Sequence, residues 1–342
     1  MKIVVASGKG GTGKTTVATN LARLASEAGL TTAYLDCDVE APNGHLFLAP
    51  EIEDRQEISR LVPEVQAPDC TLCGLCGDIC EFNAIVCLGQ KVLVFPELCH
   101  SCGGCKLVCP ENAILERAHP MGIVETGRSG RLRIVQGRLH VGEASSPPVI
   151  RAVKQSAPPA ELLIYDAPPG TACPMIETTR GSDFVLLVTE PTPFGLHDLK
   201  LAWNVIKSSR MNCGVVINRA LAGATETRRF CQQSRIPILA EIPDILAVAE
   251  AYSEGRLAIE AVPGMRRSFA HLLLELEKIA PGWRLPEKVR SDLNPLTQTG
   301  NASIFQDQPE LPRPASSLCY LAKPKEGSRP ADGRPGCAPI AP

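Results

Sequence analysis

Nine of the 15 cysteines in this 342-residue chain lie between Cys70 and Cys109. Eight of those nine form two copies of one pattern, 29 residues apart: Cys70-x-x-Cys73-x-x-Cys76-x-x-x-Cys80 and Cys99-x-x-Cys102-x-x-Cys105-x-x-x-Cys109. Three closely spaced thiolates can bind three irons of a [4Fe–4S] cube, and in two-cluster proteins the fourth ligand comes from the other run. The spacing therefore indicates two [4Fe–4S] clusters in one small unit.

The rule of the shared fourth ligand defines two ligand sets, as in a bacterial-type ferredoxin. The first set is Cys70, Cys73, Cys76 and Cys109, and the second is Cys80, Cys99, Cys102 and Cys105. Zinc is the alternative, but a zinc ribbon carries pairs of Cys-x-x-Cys rather than triplets followed by a fourth cysteine. Pro110 follows Cys109 as in ferredoxins, whereas Glu81 follows Cys80, and we expect its carboxylate to lower the potential of the nearby cluster.

The second chemical motif is a glycine-rich loop near the start of the chain. Residues 8–15 are Gly-Lys-Gly-Gly-Thr-Gly-Lys-Thr and match Gly-x-x-x-x-Gly-Lys-Ser/Thr. Glycines allow positive φ angles, so that successive N–H groups can point at phosphate oxygens. We expect Lys14 to contact the β- and γ-phosphates of ATP and the Thr15 hydroxyl to bind Mg²⁺. The predicted nucleotide contacts here are Gly8, Lys9, Gly10, Gly11, Thr12, Gly13, Lys14, Thr15 and Thr16.

The apolar patterning supplies the elements that must position these motifs. Residues 2–7 are a β-rich run before the loop, and residues 15–28 carry apolar residues at helical spacing after it. Five more apolar runs are predicted strands: 31–35, 162–165, 184–188, 214–217 and 237–239. Continuous apolar strands separated by helical stretches are typical of a parallel sheet covered on both faces. The predicted fold is therefore an α/β protein with a mostly parallel sheet, and residues 265–279 form its last amphipathic helix.

Lys9, at the second position of the loop, distinguishes the motif from a generic phosphate loop. With it the chain resembles the deviant Walker A family of P-loop ATPases, which includes MinD, ParA, the Mrp-type cluster carriers and the nitrogenase iron protein. The resemblance covers residues 1–65 and 118–280. It implies a MinD-like fold, ATP hydrolysis by an ATP-dependent homodimer or a heterodimer with a paralogue, and a role for Lys9 at the partner's phosphates.

Two segments are similar to the switch segments of that family. Asp36 and Asp38 end the second predicted strand, as in switch I, and the resemblance implies that Asp38 acts on the attacking water while Asp36 supports the metal shell. Residues 162–171 resemble the Walker B strand running into switch II. There the resemblance implies that Asp166 holds Mg²⁺ through water and that Gly170 turns an N–H toward the γ-phosphate.

The base pocket is also predicted by resemblance. Asn218 ends a predicted strand where the family contacts the adenine edge, and a plain turn residue stays the alternative. Pro243 lies where the family closes the pocket. Outside these segments, Cys173 follows Asp166 by seven residues, as a cluster ligand does in the nitrogenase iron protein. Since the second ligand has no counterpart outside the cysteine repeat, we expect Cys173 to be a packing residue.

Four regions follow from these patterns. We expect a P-loop ATPase domain in two parts, residues 1–65 and 118–285, interrupted by a ferredoxin-like cysteine insert at residues 66–117. Ten of the last 57 residues are proline, so residues 286–342 are predicted to be a disordered tail.

The composition limits the partners. Lys plus Arg at 35 against Asp plus Glu at 37 gives a net charge of −2, so a nucleic-acid partner is not expected. We find no apolar run long enough for a membrane span and no signal-peptide pattern, and we expect a reduced, cytoplasmic protein without membrane contact. Clustered thiols in such a compartment favour metal over disulfides.

The motifs together predict an ATPase that couples its nucleotide state to electron transfer through two clusters, with an unknown redox protein as partner. One alternative is a cluster scaffold of the Mrp type. Such carriers use a Cys-x-x-Cys pair in the ATPase body, and no such pair lies outside residues 70–109. The other is a MinD-like positioning switch with redox-sensing clusters, but MinD binds membranes through a basic amphipathic C-terminal helix, whereas this tail is proline-rich.

Overall fold

The computed structural model describes residues 1–220, 224–279 and 282–298. Its strands in these ranges are β1 (Lys2–Ala6), β2 (Thr32–Asp36), β3 (Glu51–Val65), β4 (Ile85–Leu88), β5 (Lys91–Val94), β6 (Ile114–Ser129), β7 (Leu132–Leu139), β8 (Leu162–Asp166), β9 (Phe184–Thr189), β10 (Cys213–Ala220) and β11 (Ile238–Pro243). The helices are α1 (Lys14–Glu27), α2 (Gly44–Leu48), α3 (Leu75–Asp78), α4 (Gly104–Leu107), α5 (Pro147–Gln155), α6 (Cys173–Thr179), α7 (Pro193–Ser208), α8 (Thr225–Ser234), α9 (Leu246–Ser253), α10 (Ala258–Ala261), α11 (Met265–Ile279) and α12 (Glu287–Gln298).

Nine strands form one sheet in the order β11-β10-β9-β1-β8-β2-β7-β6-β3. The strands from β11 to β7 are parallel to one another, and only the β7–β6 and β6–β3 pairs are antiparallel. This confirms the predicted mostly parallel α/β sheet. Every predicted strand is present. All but the edge strand β11 are apolar runs that the sheet buries on both faces.

The two faces of the sheet are covered by different helices. Along β1, Ile3 and Val5 point to the face covered by α1, α11 and α12, whereas Val4 and Ala6 point to the face covered by α5, α6, α7 and α8. Alternating side chains of a strand point to opposite faces, so a central strand needs apolar residues at every position. The layers thereby fix the carboxyl ends of β1, β2, β8, β9 and β10 along one edge.

A long hairpin of β3 and β6 carries the cysteine insert. The two strands pair antiparallel from Glu51 opposite Arg128 to Val65 opposite Ile114, and the chain between them contains α3, α4 and the small β4–β5 sheet. The apolar pattern did not predict β3, because this edge strand is mostly charged and exposed in its first half. Exposed charges of this kind protect a sheet edge from pairing with another chain.

The prediction that disorder begins at residue 286 is wrong for residues 287–298, which form α12. Val289 and Leu293 are buried against α11, and Arg290 pairs with Glu277 of α11. Burial of an apolar stripe stabilises this helix in spite of Pro295 inside it. Residues 299–342 lie outside the described residues, as does the prediction for them.

Within the described ranges, the longest helices are too short or too polar to cross a membrane.

Candidate nucleotide site and cysteine-lined cavities

The glycine loop lies between β1 and α1, as its motif requires. Gly11 and Gly13 have φ angles of 80° and 90°, where a side chain would strain the backbone. A Cβ at Gly13 would also collide with the Asn218 amide, and one at Gly8 would collide with the Asp198 carbonyl. These close approaches explain why glycine occupies the positions at which the loop packs against β10 and α7.

A cleft of about 300 Å³ opens above the loop at the carboxyl edge of the sheet. Its lining includes eight of the predicted nucleotide contacts: Gly10, Gly11, Gly13, Lys14, Thr15, Thr16, Asn218 and Pro243. It also includes Asp38, which was predicted to act on the attacking water. The cleft also contains Asn43, Arg219, Asp244 and Tyr252, which the sequence patterns did not single out. The arrangement provides backbone donors and a lysine at one end and a partly apolar wall at the other, which suits a nucleoside phosphate.

Asp36 and Asp166 lie side by side at the ends of β2 and β8, and both are fully buried. The oxygens of Asp36 accept hydrogen bonds from the backbone N–H groups of Asp38, Asn43 and Gly44, at 3.0–3.2 Å. Burial, and then the charge of Asp166, raises the pKa of Asp36. Asp36 therefore holds the backbone of the turn that follows β2, which is the predicted switch I, and its support of the metal shell stays a prediction.

Asp166 has one engaged oxygen and one free oxygen. The Tyr34 hydroxyl donates to Oδ2 at 3.0 Å, whereas buried Oδ1 has no hydrogen-bond partner. Burial raises the pKa of Asp166, and the Thr15 hydroxyl and the Lys14 ammonium oppose that shift. An unpartnered buried carboxylate oxygen beside the loop fits a hydrated Mg²⁺ ion, because oxygen ligands are those that Mg²⁺ prefers. Tyr34 was missed, although its place two residues before Asp36 in a strand puts both on one face.

Asp38 lies in the same cleft but is less buried than its neighbours. Burial, and then the charge of Asp166, raises the pKa of Asp38 to about 6. A carboxylate with this pKa is mostly ionised at neutral pH and can still accept a proton, which suits a group that orients or activates water.

Asn218 supports the phosphate loop from behind. Its Nδ2 donates to the Thr12 carbonyl at 2.8 Å, and the residue is buried. This contact connects the end of β10 to the loop, so Asn218 is more than a turn residue. Contact with the adenine edge stays a prediction.

Lys9 forms an ion pair within its own chain. Its Nζ lies 3.8 Å from Oε2 of Glu190, which also pairs with Arg219 at 2.7 Å. Glu190 follows the apolar strand β9 directly, and no motif in the sequence distinguishes it. The Glu190 carboxylate is shielded from solvent between Lys9 and Arg219, and it holds Lys9 beside the loop.

The predicted switch II segment begins directly after Asp166. The Gly170 N–H donates to the Ser7 carbonyl at 3.1 Å, so it must leave that acceptor before it can reach a γ-phosphate. Gly170 has a φ of 95°, which glycine tolerates. Cys173, at the start of α6, is exposed, so the prediction that it is a packing residue is wrong. The apolar residue that packs at this position is Met175, two residues further on.

The cysteine insert contains two separate cavities. One is lined by Cys70, Cys73, Cys76 and Cys109, and the other by Cys80, Cys99, Cys102 and Cys105. Each lining contains all four cysteines of one predicted ligand set and none of the other. The fold therefore brings each distant fourth cysteine to the partner run, as the shared-ligand rule requires.

The repeat of the sequence is a repeat of the backbone. The first residues of the two short helices, Leu75 and Gly104, are 29 positions apart. Backbone N–H groups donate to sulfur at 3.3 Å in both copies, from Ala84 to Cys80 Sγ and from Ala113 to Cys109 Sγ. Such donors stabilise thiolate ligands. Although four cysteines line each cavity, no group of three or more His, Cys, Asp or Glu side chains among the described residues is arranged to hold a metal ion.

The fold and the cleft define a P-loop nucleotide-binding protein. The family model for the CobQ/CobB/MinD/ParA nucleotide-binding domain matches residues 3–259, and the chain belongs to this family. This confirms the resemblance to the MinD/ParA group at the level of an ATPase of that type. The sequence is 38% identical over 202 residues to uncharacterized protein MJ0578 of Methanocaldococcus jannaschii, covering 58% of this chain and 70% of that protein.

Two further similarities are more distant. A cytosolic Fe–S cluster assembly factor NUBP1 homolog of Caenorhabditis briggsae is 24% identical over 295 residues, covering 79% of this chain and 78% of that protein. The septum site-determining protein MinD of Pyrococcus horikoshii, solved with Mg-ADP, has a TM-score of 0.50 and 22% identity, covering 82% of this chain and 97% of that chain. The second similarity shows a shared fold.

Proposed function

We propose that this protein is an ATP-hydrolysing iron–sulfur protein that couples its nucleotide state to electron transfer through two [4Fe–4S] clusters. The observation that supports it most directly is the pair of cavities, each lined by one complete predicted ligand set. They lie in an insert between Asp38 and Asp166, the carboxylates at the nucleotide cleft. ATP binding and hydrolysis would therefore act at both ends of the segment that holds the cysteines.

In the nucleotide site, Lys14 would bind phosphate oxygens, and Asp166 and Thr15 would hold hydrated Mg²⁺. Asp38 would orient the attacking water and take up its proton. Lys9 would act across an ATP-dependent dimer after leaving Glu190. In the insert, the eight cysteines would hold the clusters, which supply one-electron redox chemistry.

Iron analysis of single-cysteine variants tests the cluster assignment. The unsubstituted protein, purified anaerobically, should contain about eight irons per chain. Cys76→Ser should lose about four of them, because it removes one ligand from one set only. Cys87→Ser is the matched control, since Cys87 lies in the same insert but lines neither cavity. Stoichiometric zinc without iron, after anaerobic reconstitution, would overturn the proposal.

A role in cluster assembly is the second candidate, and the similarity to the NUBP1 homolog favours it. An assembly factor gives up its clusters, whereas an electron carrier keeps them. Incubation of the loaded protein with an apo-ferredoxin acceptor and Mg-ATP distinguishes the two. We expect the iron to stay with this protein, and ATP-dependent transfer to the acceptor would favour assembly.

A further inference from the structure

A buried ion pair lies where the hairpin that carries the cysteine insert meets the rest of the ATPase body. Glu143 lies in the loop between β7 and α5, and its Oε2 lies 2.6 Å from Nη2 of Arg60 on β3. Its Oε1 lies 2.8 Å from Nε2 of His119 on β6. The Arg60 and Glu143 side chains are only 5% and 6% exposed. One carboxylate of the body therefore holds both strands that carry the insert.

The same arginine reaches the insert itself. Arg60 Nη2 donates to the Pro96 carbonyl at 2.7 Å, and the Cys99 N–H donates to that same carbonyl at 3.0 Å. Cys99 is one of the four cysteines that line the second cavity. A displacement of Arg60 would therefore move the Pro96 carbonyl, which accepts a hydrogen bond from the backbone of Cys99, a predicted cluster ligand.

Stability alone does not explain this arrangement. Burying two charges costs several kcal/mol of desolvation per ion, and well-packed apolar residues often replace such a pair without loss of stability. The Nε and Nη1 atoms of Arg60 and the Oε2 atom of Glu143 are buried without a hydrogen-bond partner, which adds to the cost. A costly pair at the junction of two parts suits a positioning role.

The loop that contains Glu143 is also connected to the nucleotide site. Glu143 is followed closely by α5, whose Lys154 Nζ donates to the Glu177 carbonyl and the Arg180 carbonyl at 2.6 Å each. Both acceptors belong to α6 or its end, and α6 directly follows switch II. Gly170 of switch II is bonded to the Ser7 carbonyl beside the phosphate loop. Hydrogen bonds and an ion pair, together with the chain connections through α5 and α6, thus link the loop to Cys99.

We propose that Glu143 and Arg60 are positioning residues, which transmit the nucleotide-dependent movement of switch II and α6 to the Cys99 side of the insert. This inference rests on the proposed coupling of ATP state to the clusters. It adds the route, and it assigns the response to the cavity lined by Cys80, Cys99, Cys102 and Cys105.

Hydrogen exchange of the full, cluster-loaded chain tests the route by a readout other than activity. Amides of residues 96–105 are compared with Mg-ADP and with a non-hydrolysable ATP analogue bound. The test variant is Arg60→Met combined with Glu143→Gln, which leaves no unpaired buried charge. Glu64→Gln is the matched control, because Glu64 and Arg117 form an exposed pair, 3.9 Å apart, across the same two strands.

In the unsubstituted protein and the control, the exchange rates should differ by about fivefold or more between the two nucleotide states, as for typical coupled sites. In the double variant, the amides of residues 96–105 should exchange at the same rate with either nucleotide bound, and the iron content should be unchanged. If the double variant loses iron, Glu143→Gln alone is used, with the same expectation. A nucleotide response that persists in the variant would overturn the route but leave the coupling. The absence of any response in the unsubstituted protein would overturn both.

Discussion

Asn218→Ala tests how the end of β10 supports nucleotide binding. The substitution removes the donor to the Thr12 carbonyl, which lies in a loop residue that is only 2% exposed. A buried acceptor left without its partner costs about 1–3 kcal/mol. Because the loop needs this support in order to bind phosphate, we expect the loss to appear in nucleotide affinity, as an increase in Kd of about 5- to 150-fold.

Binding of ATP and GTP, measured by calorimetry, separates support of the loop from contact with the base. Both nucleotides carry the same phosphates, so loss of loop support should weaken them equally. An additional loss for ATP alone would measure contact of Asn218 with adenine. Asn204→Ala is the matched control, since Asn204 is an exposed residue of α7. Weakened ATP binding with unchanged GTP binding would refute the loop-support role.

Three further outcomes are expected. Lys14→Ala should abolish nucleotide binding in a filter assay, whereas Lys9→Ala should bind ATP normally and hydrolyse it slowly; wild-type dimerisation and turnover of the Lys9 variant would contradict the dimer model. Protonation of Asp38 near pH 6 should reduce kcat/KM about tenfold per pH unit below that value. Asp38→Asn should remove this decrease on the acidic side of the pH profile, along with most of the activity. Leu293→Ala should lower the free energy of unfolding by about 2–5 kcal/mol, because Leu293 is buried, whereas exposed Leu246→Ala should change it little; equal losses in urea denaturation would contradict the packing of α12.

The parallel sheet could be predicted because its central strands are buried on both faces, which leaves continuous apolar runs in the sequence. The β3 strand could not, since its charged residues serve an exposed edge and show no apolar period. The helix α12 was missed for a different reason. Proline content suggested disorder, whereas the helix depends on the packing of Val289 and Leu293 against the preceding helix α11, which composition does not report.

The site residues likewise divide into those that the sequence predicts and those that it does not. Spacing alone identified the phosphate loop and grouped the cysteines into the two sets that line the two cavities. Tyr34, Glu190 and the junction of Arg60 with Glu143 carry no local motif, because their roles depend on partners far away in the sequence. The exposure of Cys173 was likewise set by how α6 packs rather than by its neighbours in the chain.

The central claim is that the nucleotide state changes the redox behaviour of the clusters, and a potentiometric titration followed by EPR tests it most directly. The titration is run on the anaerobically purified Asp38→Ala variant, whose substitution blocks hydrolysis. It is run once with Mg-ADP bound and once with Mg-ATP bound. Linked sites typically differ by about 1–3 kcal/mol, and for one electron about 1.4 kcal/mol corresponds to about 59 mV. We predict a shift of at least about 40 mV in the midpoint potential of at least one cluster. Identical midpoint potentials in the two nucleotide states, together with identical electron-transfer rates, would contradict the account.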